Sequence, residues 1–240
     1  LNGYVLQIEN EYYSFVRTTA TAQSGEQPTR ALRRAGVEYV EIRALDLDPY
    51  SPVGISEAQT EFLETLLLFC LLEDSPPIDA LEQTHINANQ GLVARAGRDP
   101  SLTLYRGDGN RVTLRQWANE LFTAMQGPAE LLDEVADDGR YRNTLADYHA
   151  MVADAEHTPS ARILAQMRAN QEEFVEFALR VSSEHAHDLR NQAQKPAEQT
   201  RLETAAAQSV AEQAALEAED EPTFEEFLAD YFAQALTNGS

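Results

Sequence analysis

Cysteine is almost absent from this 240-residue chain. The single Cys70 excludes an intramolecular disulfide framework and suits a reducing compartment such as the cytoplasm. Basic residues are also scarce: 18 Lys and Arg stand against 40 Asp and Glu, a net charge of −22 at pH 7. That balance repels phosphate backbones and anionic lipids, so it disfavours nucleic acid and membrane surfaces as partners. It leaves a nucleotide open, because one arginine or metal ion reverses the field inside a single cleft. No apolar run is long enough to span a bilayer; Phe62 to Leu72 is short, contains Glu64, and is expected to form a core helix with a buried, inert Cys70. P-loop, GxGxxG and GxSxG patterns are missing, and no repeat period is visible.

What the chain does have is a hydrophobic content of 43%, enough for a sizeable core, and two strand-like segments that set charges in apolar surroundings. The first runs from Val37 and is stopped by Pro49 and Pro52. Side chains two apart share a strand face, so Tyr39, Glu41 and Arg43 point one way and Val40, Ile42 and Ala44 the other. Apolar residues on both faces predict cover on both sides. Charges under such cover are costly unless paired, metal-bound or met by a charged ligand. Two readings follow: a structural ion pair, or a metal ligand (Glu41) beside an anion clamp (Arg43).

The second segment is residues 3–13, with Tyr4, Leu6 and Ile8 on one face and Val5, Gln7, Glu9 and Glu11 on the other. Tyr13 joins the acidic face if the strand stays regular. Were the two strands to pair, this acidic, tyrosine-bearing face would meet Glu41 and Arg43. Hard cations such as Mg²⁺ take oxygen ligands, and nucleotide sites combine a few carboxylates with the phosphates themselves.

The motifs Val5-Leu-Gln-Ile-Glu-Asn-Glu-Tyr-Tyr13 and Val37-Glu-Tyr-Val-Glu-Ile-Arg-Ala-Leu-Asp-Leu-Asp-Pro-Tyr-Ser-Pro-Val-Gly54 resemble the glutamate–cysteine ligase family, in its proteobacterial type. Arg17, Ser24-Gly25-Glu26 and Arg33 fall in register between them. Asn87-Ala-Asn89, Gly97-Arg98-Asp-Pro100 with Leu102-Thr-Leu104, and Ser160-Ala-Arg-Ile-Leu164 resemble later family segments, the likeness thinning beyond residue 72. Members are about twice this length, and the chain resembles their C-terminal half. The resemblance implies an ATP-dependent, cytoplasmic enzyme that joins glutamate to cysteine through a glutamyl phosphate, the first step of glutathione synthesis. It implies Mg²⁺, or Mn²⁺, as the metal and the absent N-terminal half as a partner, so the chain alone is expected to be inactive. Glu41 matches the family's metal-binding Glu, Arg43 an Arg at the reacting phosphate, and Tyr13 a Tyr near the cysteine carboxylate. Glu9, Glu11 and Arg17 are candidates of second rank.

The expected fold is α+β: part of a glutamine-synthetase-like antiparallel sheet at residues 3–48, backed by helices. Three regions are expected. Residues 1–55 hold the catalytic strands, 56–195 the helical backing, and 196–240 an acidic Ala/Gln/Glu-rich tail ending in an amphipathic helix. Ser56 with Gln59 suggests a capping box opening a helix that Pro76-Pro77 ends. Further helices are predicted at 78–96, 115–125, 128–136, 141–154, 160–169 and 172–191, with a hairpin at 102–114 around Gly107-Asp-Gly-Asn110. Residues 196–220 suit a solvated helix or partial disorder. A final helix at 224–236 carries the stripe Phe224, Phe227, Leu228, Tyr231, Phe232 and Leu236.

Arg106-Gly-Asp108 lies in a tight turn and is read as coincidence. His185 and His187, two apart on a helix, point to different sides and make a poor metal pair. Asn87 and Asn89 sit in a helix, where Asn is a poor former, and suggest packing or capping more than ligand contact. Two other functions stay open: a different carboxylate–amine ligase acting on glutamate, and an acidic helical interaction module without chemistry.

Overall fold

A computed structural model of the chain describes residues 13–23, 25–192, 196–218 and 223–236. They are mainly helical with two small antiparallel sheets, an α+β arrangement as expected. The chain divides into two compact units, one holding the described residues up to Asp46 and from Gln192 onward, the other Leu47–Asn191.

In the first unit, β1 (Val16–Thr19) pairs antiparallel with β2 (Tyr39–Ile42), with Arg17 opposite Glu41 and Thr19 opposite Tyr39. Bonds from Glu38 N to Thr19 O and from Arg43 N to Phe15 O extend the ladder. The expected strand at residues 3–13 lies outside the described residues except for Tyr13; among the described residues β2 pairs with the β-branched Val-Arg-Thr-Thr run that follows. The cover expected on both faces of β2 is not found among the described residues: Val37 is 60% exposed, and Tyr39 and Val40 are also open. Between the strands lies α1 (Pro28–Ala35), which the sequence reading missed. Pro28 stands in its first turn, and Gly36 ends it at φ +78°, a conformation that favours glycine.

Two helices complete this unit. Every described position of α9 (Pro196–Glu217) is exposed; it is the solvated helix that its Ala/Gln/Glu composition suggested. Of the stripe on α10 (Phe224–Leu236), Tyr231 is buried, while Phe224, Phe227 and Phe232 remain exposed. The Gln27 amide anchors α10, its Nε2 donating to Tyr231 O at 2.8 Å.

The second unit holds the main core. Ser56 caps α2 (Glu57–Leu72) with a complete capping box. The helix ends at Leu72, before Pro76-Pro77, and α3 (Ala80–Ala96) starts from Asp79 as N-cap and stops at Gly97. The hairpin is β3 (Thr103–Tyr105) with β4 (Arg111–Thr113). Then follow α4 (Leu114–Ala124), α5 (Gln126–Ala136), α6 (Arg140–Ala153), a 3₁₀ turn Ala155–His157, α7 (Pro159–Asn170) and α8 (Phe174–Asn191). Phe122, Met125, Ala129, Tyr141 and Leu145 form the core of α4, α5 and α6, with Phe62, Leu66 and Phe69 of α2 packed against it. The side of α2 facing α6 is polar at its most buried points, where the Thr144 hydroxyl donates to Glu61 Oε2 and Tyr141 OH donates to Glu64 at 2.6 Å. Cys70 is exposed, not buried as the apolar run suggested: the run surrounds the helix, but only one side of it reaches the core.

Candidate functional site

The alternation of β2 places Tyr39, Glu41 and Arg43 on one face, and the register brings Arg17 and Thr19 of β1 to the same face. Arg43 Nε donates to Glu41 Oε2 at 2.7 Å, and Nη2 donates to the same oxygen. The Arg43 guanidinium also lies over the Tyr13 ring, 4.8 Å from its centroid, although Tyr13 is 76% exposed. The Arg43 hydrogen bond holds the Glu41 carboxyl below the usual carboxylate range, against a desolvation effect that raises it; the Arg43 and Arg17 charges and the Thr19 hydroxyl add to the lowering. Glu41 is thus an ionised carboxylate in neutral water. Its Oε1 accepts no hydrogen bond from any described residue.

Four sequence candidates, Tyr13, Arg17, Glu41 and Arg43, therefore share one face, while Glu9 and Glu11 lie outside the described residues. Both the ion-pair and the functional readings of Glu41–Arg43 remain compatible with this geometry, because the pair is made yet half the carboxylate is open. Among the described residues no group of three His, Cys, Asp or Glu gathers in a way that could hold a metal alone. His185 Nε2 lies 2.9 Å from Pro49 O and His187 Nε2 is 2.8 Å from Asn191 Nδ2, so the two histidines serve separate contacts.

The other motifs meet pairwise in the second unit. Asn89 Nδ2 donates to Tyr105 O at 2.7 Å, and its Oδ1 accepts from Tyr105 N at 2.8 Å, a two-point clamp on β3. Asn87 only accepts from Gln83, at 3.1 Å, within its own helix. The Arg162 guanidinium covers the Tyr50 ring at 4.2 Å, joining the Pro49–Pro52 turn to α7. Burial pushes the Tyr50 phenol up. The packing role suggested for Asn89 fits its clamp on Tyr105, while the Arg162–Tyr50 contact had no sequence signal.

A family model described as glutamate-cysteine ligase matches residues 1–93. The chain is 42% identical over 232 residues to the glutamate–cysteine ligase of Alcanivorax borkumensis, an alignment covering 97% of this chain and 44% of that protein. It is 44% identical over 239 residues to that of Azotobacter vinelandii, covering 100% of the chain and 45% of the relative. The chain belongs to the glutamate–cysteine ligase family. Among solved structures, the ligase of Francisella tularensis in complex with AMP aligns with a TM-score of 0.88 at 33% identity, over 98% of this chain and 46% of that one. A bifunctional glutathione synthetase from Pasteurella multocida aligns over 75% of this chain at 17% identity and a TM-score of 0.53, a likeness of fold alone. The likeness to glutamate–cysteine ligases thus runs through the acidic tail, where the motifs had thinned. The chain spans a little under half the length of the ligases it matches.

Proposed function

We propose that this chain is the C-terminal half of an ATP-dependent glutamate–cysteine ligase, and that the Tyr13–Arg17–Glu41–Arg43 face lies in its active site. The observation carrying the reading is an arginine held by an ionised but half-open carboxylate on a face that a strand pair leaves exposed. The 42% identity to a named ligase over nearly the whole chain supplies the reaction class.

A carboxylate is a poor electrophile for an amine. The γ-carboxylate oxygen of glutamate attacks the γ-phosphorus of ATP, the bond to the ADP oxygen breaks, and a glutamyl phosphate results. The cysteine amine then attacks the acyl carbon, phosphate departs with the C–O bonding pair, and the amine loses a proton. Charge neutralisation and positioning carry such a transfer. Arg43, whose Nε and Nη2 are tied to Glu41, keeps Nη1 to meet a phosphoryl oxygen. The Tyr13 ring lies against the Arg43 guanidinium, and its match to the family's tyrosine gives it the role of meeting the cysteine carboxylate. The hard, ionised Oε1 of Glu41 suits Mg²⁺, with phosphate oxygens and carboxylates from the rest of the protein as further ligands. When bound, the ion would neutralise phosphate charge. A cytoplasmic location accords with the exposed free thiol of Cys70.

The test is ADP release by the complete protein with Mg²⁺·ATP, required to depend on glutamate and cysteine together. In the same protein Glu41→Gln removes the charge and keeps the shape. Turnover is expected to fall by about two orders of magnitude with the melting midpoint unchanged. Near-normal turnover at ordinary Mg²⁺ would reduce Glu41 to a structural partner of Arg43.

A further inference from the structure

Resting on the ligase reading above, we propose that Arg17 is a second anion-binding guanidinium of this face, acting with Arg43 across Glu41 to hold one oxyanion of the substrates. Arg17 stands directly opposite Glu41 in the β1–β2 register. Opposed residues on one face of an antiparallel pair have Cβ atoms roughly 4.5–5.5 Å apart, the natural place for a cross-strand ion pair. Yet Glu41 is taken by Arg43, its neighbour two residues along the same strand. Arg17 makes no hydrogen bond or ion pair with any described residue, although it is half-buried and the chain holds 40 carboxylates.

Among the described residues the face therefore carries two guanidinium groups for one carboxylate, on a protein of net charge −22. The two arginines differ in what they can still offer. Glu41 occupies Nε and Nη2 of Arg43, the edge best suited to two-point binding of an oxyanion. Arg17 feels the Glu41 charge, but no described residue hydrogen-bonds to its corresponding edge. Among the described residues of this face, it is the group able to hold two oxygens at once without first releasing Glu41. The ligand chemistry is an oxyanion, supplied either by the phosphoryl group of ATP or by the α-carboxylate of an amino-acid substrate.

Arg17→Gln and Arg17→Lys in the complete protein test this, with kcat, the separate KM values for ATP, glutamate and cysteine, and the melting midpoint measured on each preparation. The expected result for Arg17→Gln is a loss of about tenfold or more in kcat/KM with an unchanged melting midpoint, partly restored by Lys, which returns charge without the fork. A fall in kcat together with weaker ATP use assigns the phosphoryl group; a raised KM for one amino acid alone assigns its carboxylate. Kinetic constants within about twofold of wild type, with or without a lower melting midpoint, overturn the proposal. If the wild-type protein shows no ligase turnover, the functional reading fails separately. Calorimetric titration with inorganic tripolyphosphate, glutamate and cysteine then decides: weaker binding of one probe by Arg17→Gln supports the clamp, and equal or absent binding in both proteins overturns it.

Discussion

Two acid–arginine pairs in this molecule have opposite degrees of completion. Asp133 on α5 is 4% exposed at its side chain and accepts from Tyr141 N at 2.9 Å, Arg142 N at 3.2 Å and Arg142 Nε at 2.7 Å. Those donors occupy both carboxylate oxygens and tie the end of α5 to the start of α6. Glu41 on β2 has a side chain 28% exposed and receives Arg43 on one oxygen, the other accepting no hydrogen bond from a described residue. A saturated pair has nothing left to offer a ligand, and breaking it strands a buried charge. An unsaturated pair on an open face contributes little stability and retains the valence that chemistry needs. On the proposed function, the helical bundle and the strand pair use the same residue types for different ends.

The largest test of that contrast lies in the bundle. Leu145 is 1% exposed in the core, and Leu145→Ala should cost about 2–5 kcal/mol by removing buried methyl groups and leaving a cavity. Denaturant unfolding should show the loss, with turnover of the complete protein per folded molecule unaltered; a shift under about 1 kcal/mol would mean that the bundle is not the stabilising element. Next in size, Arg43→Lys on the β1–β2 pair of the complete protein should lower kcat at least about tenfold while the melting midpoint stays, because Lys keeps a charge beside Glu41 but loses the planar fork. A destabilised variant with unchanged kcat would make the Glu41–Arg43 pair as structural as the Asp133–Arg142 pair.

Asp133→Asn should cost about 1–2 kcal/mol and leave kcat alone. Burial pushes the Asp133 carboxyl up, but the Arg142 guanidinium and the amides of Tyr141 and Arg142 outweigh it and hold the group below its usual range. Since the folded value is the depressed one, its stabilisation is full above the unfolded pKa and disappears as pH falls through the folded pKa. Wild type should therefore lose its advantage over Asp133→Asn in acid unfolding. A gap between them that persists at the lowest pH would point to shape instead of charge. The smallest effect is at Glu26, beside α1, where the Arg34 hydrogen bond and the Gln23 amide lower the carboxyl from 4.5 to about 2. By the same sign, its link to Arg34 is complete above pH 4.5 and lost on the way to pH 2. An NMR titration of the Glu26 side chain should find that low midpoint; an ordinary value near 4.5 would show the link to be absent in solution.

Local signals were read well where one segment contained its own cause. The capping box at Ser56 and Gln59, the stop at Gly97, the turn at 107–110 and the alternation of Tyr39, Glu41 and Arg43 all depend on neighbours within a few residues. The reading failed where the deciding partner was distant. Cys70 looked buried because its segment is apolar, yet the core lies on another side of α2. Arg17 had no assignable role until its register against Glu41 was known, 24 positions away.

The amino-acid sequence by itself determined the helix-rich α+β class, most element boundaries, the family, and the charged face of β2, because periodicity, capping and long motifs are local properties of the chain. Only the tertiary structure decided which polar groups are used up and which stay open. Asn89 is spent clamping Tyr105, Asp133 is saturated by α6, and Arg43 takes Glu41 through one oxygen, leaving Arg17 without a hydrogen bond among the described residues. A carboxylate has the same formula in every segment; the donors that reach it are set by packing and register between elements far apart in the chain.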